Sequence, residues 1–352
     1  MSVTYTASAA DGHEVRYRDR KRWAWMLSVF WPLIPFIGLA AHHFSGQEIA
    51  LAIPLLVSYG LMPLLDAIFG EDPNNPPDAV VRQLDADRYY RWLTWATVPL
   101  HFVALIGCAW WAATHDLSWW AFLILAYVAG TDAGLGLNTA HELGHKHNPI
   151  EQGLARLVLA VPAWVLESQR LAELGRSPWS PHNTLLQSYA ITALLQGSLI
   201  AAFGWLMLPF LAIHNVVAWW QLTSANYVEH YGLLRERDPS TATGYESPKP
   251  HHSWNTNHLV TNLATFHLQR HSDHHAHPSR RYQCLRHFPD LPQLPSGYFG
   301  MFPLAYMPWA WFRVMDRRLL ALPQVHGDLG RVNIDPKRRE RLWARYGAVV
   351  RA

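Results

Sequence analysis

Charged residues and cysteines are scarce in this chain. Only 16% of its 352 residues are Asp, Glu, Lys or Arg, well below the ~25% of an ordinary soluble domain. The two cysteines, Cys108 and Cys284, are too few for a disulfide framework or a cysteine-based metal site. The net charge is only +3, and no stripe of basic and aromatic residues is present. These shortages disfavour a soluble globular protein, and they disfavour nucleic acid as a partner.

Long stretches contain no charged residue at all: 23–44, 49–65, 92–114, 117–131 and 177–228. A bilayer core ~30 Å thick requires about 20 apolar helical residues. The last stretch is long enough for two such helices, with Pro209 as a hinge between them. The predicted spans are 23–44, 48–69, 92–114, 117–140, 188–207 and 210–230. The sequence therefore predicts an all-α integral membrane protein with six transmembrane helices.

Basic residues in the short connections predict the orientation of these helices. The segment 1–22 holds five basic residues in "EVRYRDRKR", and connections 2–3 and 4–5 hold several more, whereas the other connections hold none. Because basic loops stay in the cytoplasm, both termini are predicted to be cytoplasmic. We expect a cytoplasmic N-terminal segment (1–22), a six-helix membrane region (23–230, with its cytoplasmic connection 141–187) and a histidine-rich cytoplasmic cap (231–352).

Histidine is abundant where charge is scarce. Ten of the 21 histidines lie between His230 and His287. Apolar residues recur at helical spacing in residues 258–268, and four histidines continue that stripe, which predicts a single helix over 258–278. These are His267, His271, His274 and His275. Four imidazoles on one buried face need a polar partner, and a metal ion is the simplest one.

The pair His141 and His145 fits two kinds of metal site. With Glu142 it matches the H-E-x-x-H pattern of a zinc protease, in which the glutamate activates water. A zinc site of this kind needs one further ligand, which leaves the later histidines without a role. Alternatively, histidines from the ends of several helices build a site for two iron ions, which imidazole suits. Spacing alone shows a metal site without identifying the metal.

Several segments resemble the membrane alkane 1-monooxygenase (alkane hydroxylase) family, and more broadly membrane fatty-acid desaturases and hydroxylases. The most specific are "NTAHELGHK", "NYVEHYGLL" (226–234), "HSWNTNH" (252–258) and "LQRHSDHHAHPSRRYQ" (268–283). "GEDPNNPP" (70–77) and "LPSGYFGM" (294–301) are similar to family sequence as well. The resemblance extends over nearly the whole chain.

The resemblance implies an enzyme that inserts one oxygen atom of O2 into the terminal C–H bond of an n-alkane, giving a primary alcohol. It implies two non-haem iron ions as cofactors and electrons that come from NADH through rubredoxin reductase and rubredoxin. Because the chain has no C-x2-C pair, rubredoxin must be a separate polypeptide. The implied location is the inner (cytoplasmic) membrane of a bacterium.

The resemblance also assigns metal ligands by position. They are His141, His145, His230, His271, His274 and His275. The neighbouring carboxylates Glu142, Glu229 and Asp273 are candidates for orienting the imidazoles from behind, or else ordinary salt-bridge residues.

The chain departs from the family pattern between the fourth and fifth spans. The family's middle histidine box reads E-H-x-x-G-H-H, whereas residues 154–183 contain a single histidine, His182. The break falls near Trp164–Val165, and we expect several tens of residues to be missing there. Six of nine expected ligands remain. One interpretation is an active enzyme in which other histidines complete the site (His182, His252, His258 or His267), and the other is an inactive deletion variant that holds one iron ion or none.

Substrate and partner contacts are predicted more loosely. Trp31, Leu61 and Phe102 are candidates for plugging an alkane channel between the helices, or else for ordinary helix packing and lipid contact. Three arginines of the cap are candidates for docking an acidic electron carrier, for binding lipid headgroups or for pairing with carboxylates of the cap. They are Arg280, Arg281 and Arg286.

Overall fold

The computed structural model describes residues 3–158, 164–241 and 244–346, and most of these residues are helical. Within those ranges the α-helices are α1 (Met26–Phe30), α2 (Pro35–Ser45), α3 (Ile53–Leu56), α4 (Met62–Phe69), α5 (Asp78–Ala86), α6 (Arg88–Thr114), α7 (Trp119–Gly144), α8 (Pro149–Val158), α9 (Trp164–Glu173), α10 (Thr184–Phe203), α11 (Met207–His230), α12 (Leu259–Ala264), α13 (His271–Ala276), α14 (Tyr298–Ala305), α15 (Pro308–Leu320) and α16 (Pro336–Tyr346).

A β-hairpin precedes the helices, which the all-α prediction did not include. Strand β1 (Tyr5–Ser8) pairs antiparallel with β2 (Glu14–Tyr17), and Tyr5 lies opposite Tyr17. Gly12, in the turn, has a φ of 87°, a conformation that glycine adopts without a steric penalty. The hairpin packs against α5, so the N-terminal segment is folded onto the rest of the protein.

Four helical segments of the described chain are long and apolar enough to cross a bilayer. They are Glu48–Phe69, α6, α7 and α10. The segments Met26–Leu33 and Pro35–Ser45 are together long and apolar enough to cross a bilayer as well, and they form a pair bent by 47°. Pro32 and Pro35 lie at this bend. They explain it, because a proline removes a backbone hydrogen-bond donor and kinks a helix. These segments overlap the first five predicted spans, and α10 lies four residues before the predicted 188–207.

Helix α11 covers the sixth predicted span but is less apolar than the others. It contains His214, Asn215 and Gln221, and it is not among the helices of the described chain that are both long and apolar enough to cross a bilayer. The break before α11 lies at Gly204, whose φ is 84°, and not at Pro209 as predicted. Glycine adopts this positive φ without a steric penalty and so ends α10, whereas proline is tolerated in the first turn of a helix.

Helix α7 packs along both α6 and α11. Two glycines of α7 allow the close approach of α11. A Cβ atom at Gly130 would lie 2.7 Å from the carbonyl oxygen of His214, and one at Gly134 would lie 2.5 Å from Cβ of Gln221. Small residues bring helix backbones together in this way in membrane proteins. The ends of α7 and α11 therefore lie side by side.

The residues after α11 form a cap over these helix ends. One of its hydrophobic clusters contains Trp254, Met301 and Trp311 together with Val228 of α11. Another joins Tyr5 and Val80 to residues of the cap that include Tyr282 and Leu285. The N-terminal segment, α5 and the cap therefore share a hydrophobic core.

Candidate metal centre

The last turn of α7 and the residue after it provide the first histidine group. His141 and His145 lie on one face, because residues four apart on a helix are neighbours. The Nε2 atom of His145 is 3.2 Å from Nε2 of His141, and Nε2 of His274, on α13, is 2.9 Å from Nε2 of His141. The ligand nitrogens of all three lie within 4.8 Å of one another. We call this group the first triad.

The end of α11 and two further histidines of α13 provide the second triad, which consists of His230, His271 and His275. The Nε2 atoms of His271 and His275 are 2.9 Å apart, and the ring of His230 is 5.3 Å from the ring of His271. Nδ1 of His230 donates a hydrogen bond to the carbonyl oxygen of His252 at 2.9 Å. This bond fixes the tautomer and leaves Nε2 of His230 available for a metal ion.

Helix α13 lies between the two triads and contributes to both. The rings of His271 and His274, which belong to different triads, are 6.0 Å apart. The six imidazoles assigned from the resemblance thus gather in two adjacent groups of three. The resemblance marked these residues as ligands, but the division into two groups comes from the packing of α13 against α7 and α11.

The predicted single helix over 258–278 is wrong. Helix α12 ends at Ala264, and Phe266 and His267 then adopt positive φ values of 48° and 53°. The amide of His267 donates to the carbonyl oxygen of Asn262 at 3.0 Å, which closes the turn after α12. L-amino acids other than glycine rarely adopt this conformation. Apolar periodicity continues through the segment and gave no sign of the break.

The break turns His267 away from both triads. Its Nδ1 atom donates to the carbonyl oxygen of Tyr282 at 3.0 Å, and its ring packs edge-on against Trp25 at 4.6 Å. The other spare histidines also have different contacts. His252 lies 3.2 Å from Glu246, His258 bonds to the Thr256 hydroxyl, and His182 is exposed. Among the described residues, none of them joins a triad.

Two of the three candidate orienting carboxylates are salt-bridge residues. Glu142 lies 2.9 Å from the ammonium of Lys146 and accepts a hydrogen bond from the backbone amide of Tyr282. Asp273 pairs with the guanidinium of Arg280 at 2.7 Å. Because Glu142 is held by Lys146, it is not placed to activate a water for His141 and His145 in the manner of a zinc protease.

Glu229 is the carboxylate that reaches an imidazole of the triads. Its Oε2 atom is 3.4 Å from Nε2 of His271, and its Oε1 atom accepts a hydrogen bond from the phenol of Tyr298 at 2.9 Å. Glu229 therefore stands at the second triad, on the same turn of α11 as His230.

Burial keeps the imidazoles of α13 neutral. Burial first, and then the neighbouring imidazoles, lower the pKa of His271 well below its usual value. The same causes lower the pKa of His274 to about 2 and that of His275 to about 4. Neutral imidazole is the form that binds metal ions. Closely spaced neutral imidazole nitrogens can bind a divalent cation, whereas protonation of several of them would place like charges side by side.

A cavity of about 440 Å³ opens onto the triads. His141 of the first triad and all three members of the second contribute to its wall. The rest of the wall is mainly apolar and includes Leu135, Trp219, Leu222, Leu268, Phe299 and Phe302. Eight residues of α11 line the cavity, and Leu222, Ala225 and Glu229 among them recur at helical spacing toward His230. The sequence analysis missed this stripe, although its spacing was visible.

The three residues predicted to plug a channel lie elsewhere. Trp31 is buried behind the cavity wall, with its ring 4.8 Å from that of Phe299. Leu61 is 44% exposed, and Phe102 packs beside Val98 and Leu143. None of the three belongs to the wall of the cavity. A role in substrate access for these residues stays an untested prediction.

The three arginines proposed as a docking surface are paired within the protein. Arg280 binds Asp273, and Arg281 contacts Glu151 through two hydrogen bonds of 2.7 and 2.9 Å. Arg286 pairs with Asp78 at 2.7 Å. Of the predicted roles, pairing with carboxylates is the one that the contacts support, although only Asp273 belongs to the cap, whereas Asp78 and Glu151 lie outside it.

Comparisons with known proteins agree with this geometry. Residues 157–312 match the fatty acid desaturase family. Alkane 1-monooxygenase 1 of Alcanivorax borkumensis is 46% identical to the chain, over 96% of the chain and 94% of that protein. The chain belongs to the alkane 1-monooxygenase family. The alkane 1-monooxygenase of Pseudomonas putida is likewise 46% identical, over 92% of the chain and 91% of that protein. That of Acinetobacter baylyi is 34% identical, over 95% and 93%.

The Alcanivorax alkane 1-monooxygenase has residues that this chain lacks. The alignment of the two extends over 385 positions, whereas the chain has 352 residues, so at least 33 positions (385 less 352) have no counterpart here. The predicted break near Trp164–Val165 adjoins residues 159–163, which lie outside the described residues.

In the first triad His145 is exposed, whereas each member of the second triad is buried or half-buried.

Proposed function

We propose that this chain is an alkane 1-monooxygenase that hydroxylates the terminal carbon of n-alkanes. One oxygen atom of O2 enters the terminal C–H bond, and the other leaves as water after two electrons and two protons are added. The observation that carries the proposal is the apolar cavity that ends at two adjacent histidine triads. The chain's membership of the alkane 1-monooxygenase family supports the same reaction.

Two iron ions, one in each triad, are the proposed cofactors. The triads fit them because each offers three closely spaced imidazoles, and burial keeps those of α13 neutral. Imidazole suits iron. Bound iron would supply the change of oxidation state that O2 reduction requires, which zinc cannot undergo. Three protein ligands for each ion leave coordination positions open.

The cavity would bind and orient the alkane. An alkane has no polar group, so its binding depends on apolar contact, which contributes ~0.8 kcal/mol for each buried CH2. Leu222, Phe299 and Phe302 provide such contact. Because four histidines of the triads belong to the wall, an alkane in the cavity would lie next to them. The apolar wall also excludes water from the reacting end.

We propose that the chain spans the inner membrane of a bacterium six times, with α11 as the sixth span. The N-terminal segment, the connection 141–187 and the cap would lie in the cytoplasm. The distribution of basic residues among the connections supports this orientation. Alkanes dissolve in the bilayer, so a cavity between α7 and α11 can receive them from the lipid.

Rubredoxin is the proposed electron donor, reduced by an NADH-dependent rubredoxin reductase. The family resemblance supports this partner, and the chain itself has no C-x2-C pair that could hold a rubredoxin iron. Because Arg280, Arg281 and Arg286 are paired internally, we assign them no role in docking rubredoxin.

The test combines metal analysis with turnover. The full chain is purified in detergent from cells grown with iron-57, iron per chain is measured, and Mössbauer spectra are recorded. The same protein is then supplied with rubredoxin, its reductase, NADH and a series of n-alkanes. We expect two irons per chain and NADH-dependent formation of primary alcohols. Replacement of the iron by zinc should abolish the product, whereas zinc-dependent peptide hydrolysis would favour the protease interpretation.

A second candidate function is that of a family member without oxygenase activity. The residues missing relative to the Alcanivorax protein and the exposure of His145 favour this alternative, because an open first triad holds its ion less firmly. One iron or none per chain, together with no alcohol product, would establish the second candidate and reject the first.

A further inference from the structure

Glu229 differs from the other buried carboxylates around the triads. It is 6% exposed. Glu142, Glu151 and Asp273 are buried as well, and each forms an ion pair with a lysine or arginine. Among the described residues, the only ion-pair partner of Glu229 is the imidazole of His271. The environment of Glu229 therefore lacks a permanent positive charge. Because a buried carboxylate without a cation is costly, a cation bound beside Glu229 would be stabilising.

The two carboxylate oxygens of Glu229 have different surroundings. Oε1 accepts a hydrogen bond of 2.9 Å from the phenol of Tyr298. Tyr298 is itself fixed, because its backbone amide donates to the side chain of Gln269 at 2.8 Å. Oε2 is 3.4 Å from Nε2 of His271, which in turn is 2.9 Å from Nε2 of His275. Tyr298 thus directs Oε2 toward Nε2 of His271, at one edge of the second triad.

We propose that Glu229 is a metal ligand in this chain. The ion of the second triad would be bound by His230, His271, His275 and Oε2 of Glu229. This inference rests on the proposed function and adds a carboxylate donor to the ligands assigned from the resemblance. The ion supplies the positive charge that Glu229 lacks, and mixed imidazole and carboxylate ligands are a donor set that iron(II) accepts. Glu229 also lines the cavity.

An orienting role for Glu229 is the competing explanation. The Nδ1 atom of His271 is buried and has no hydrogen-bond partner, so Nε2 of His271 could carry the proton and donate it to Glu229. In that case Nε2 would point to the carboxylate and not to a metal ion. The loss of a residue that only orients a ligand costs about 10–100-fold in metal affinity and leaves the number of ligands unchanged. The two roles therefore differ in a measurable way.

Binding of Co²⁺ to the metal-free full-length protein in detergent tests the proposal. The substitutions His141→Ala and His274→Ala disable the first triad, so that the visible absorption of Co²⁺ reports on the second triad alone. In this background Glu229→Gln preserves shape and removes the charged donor. The matched control is Glu142→Gln, which removes a buried carboxylate that pairs with Lys146 and faces no triad.

We expect Glu229→Gln to weaken Co²⁺ binding by more than about 100-fold, beyond the effect of losing an orienting residue, and to change the d–d absorption because one ligand is lost. Glu142→Gln should leave both unchanged. If Glu229→Gln fails to fold, Glu229→Asp takes its place, and its shorter side chain should alter the same absorption. An unchanged spectrum with a loss of affinity of no more than about 100-fold, which is the effect of an orienting residue, would overturn the proposal. If the background protein itself binds no Co²⁺, the proposed metal centre fails instead.

Discussion

The Nε2 atom of His141 lies 2.9 Å from the Nε2 atom of His274, although 133 residues separate the two in the chain. His141 belongs to the end of α7, and His274 belongs to α13 in the cap. The first triad therefore exists only when the cap is docked on the membrane helices. Because a metal ion would join the two, metal binding and docking of the cap stabilise each other.

Removal of the metal should loosen the cap. A ligand present at 100 times its Kd stabilises the folded state by about 2.7 kcal/mol. We expect a lower Tm after chelation, and faster hydrogen exchange in α13 and at the end of α7, with recovery when iron(II) is added back. Residues of α10, which contributes nothing to either triad, serve as the internal control. Equal exchange in α13 with and without metal would contradict the linkage.

Single substitutions should separate the two triads. His274→Ala removes a ligand of the first triad and His271→Ala one of the second, so each should lower the iron content from two ions per chain to about one. His182→Ala changes an exposed histidine outside both triads and should leave the content unchanged. Iron analysis and Mössbauer spectra distinguish these cases. Loss of both ions in either variant would show that the triads are not independent.

Asp72 should stabilise the protein in a pH-dependent manner. Its carboxylate binds Lys21 and lies 3.6 Å from the buried guanidinium of Arg270. Burial raises the pKa of Asp72, but the ammonium of Lys21 and the amide groups of Asn74 outweigh burial and hold the pKa below its usual value. The stabilisation is therefore present above the unfolded pKa of about 3.9, and it is lost as pH falls through the lower folded value.

Replacement of Asp72 tests this role at neutral pH. Asp72→Asn leaves the buried Arg270 without its carboxylate and should lower the free energy of unfolding by about 3 kcal/mol. Glu14→Gln, in the exposed pair with Arg16, should cost less than about 1 kcal/mol. Chemical unfolding in detergent at pH 7 and at pH 3 provides the measurement. The difference between wild type and Asp72→Asn should shrink at pH 3, and a difference that grows there would reject the assignment.

Arg281→Gln should affect stability and not the docking of rubredoxin. The side chains of Arg281 and Glu151 are 8% and 0% exposed, so the substitution leaves a buried carboxylate unpaired at a cost of about 3–5 kcal/mol. Arg170→Gln removes a more exposed pair and is the matched control. We expect a lower Tm for Arg281→Gln but an unchanged KM for reduced rubredoxin. A raised KM at unchanged Tm would restore the docking role.

Filling the cavity should shorten the range of alkanes that the enzyme accepts. Ala225 lines the cavity, and Ala225→Phe places a ring in the space that an alkane would occupy. Each CH2 group that loses its contact should cost about 0.8 kcal/mol, or about fourfold in kcat/KM. Leu61→Phe enlarges an outward side chain that is 44% exposed and should change little. Alcohol products from alkanes of increasing length give the comparison, and a shift caused only by Leu61→Phe would favour the original channel prediction.

Much of the secondary structure was predictable, because a bilayer imposes a minimum length on apolar helices. The charge-free stretches anticipated the segment Glu48–Phe69 and helices α6, α7 and α10. Helical spacing likewise explains why His271 and His275 share a triad. The break at Phe266 and His267 was not predictable, because their positive φ values depend on contacts such as that of His267 with Tyr282.

The sequence by itself determined the apolar helices and the residue types that gather at their ends. Tertiary structure decided which histidines meet. His274 joins His141 and His145, while its neighbour His275 joins His230. It also decided that Glu142 faces a lysine whereas Glu229 faces an imidazole. Spacing along one helix fixes the face on which a side chain lies, but the partner on that face comes from another helix. Only the packing of α13 between α7 and α11 brings those partners within a few ångströms.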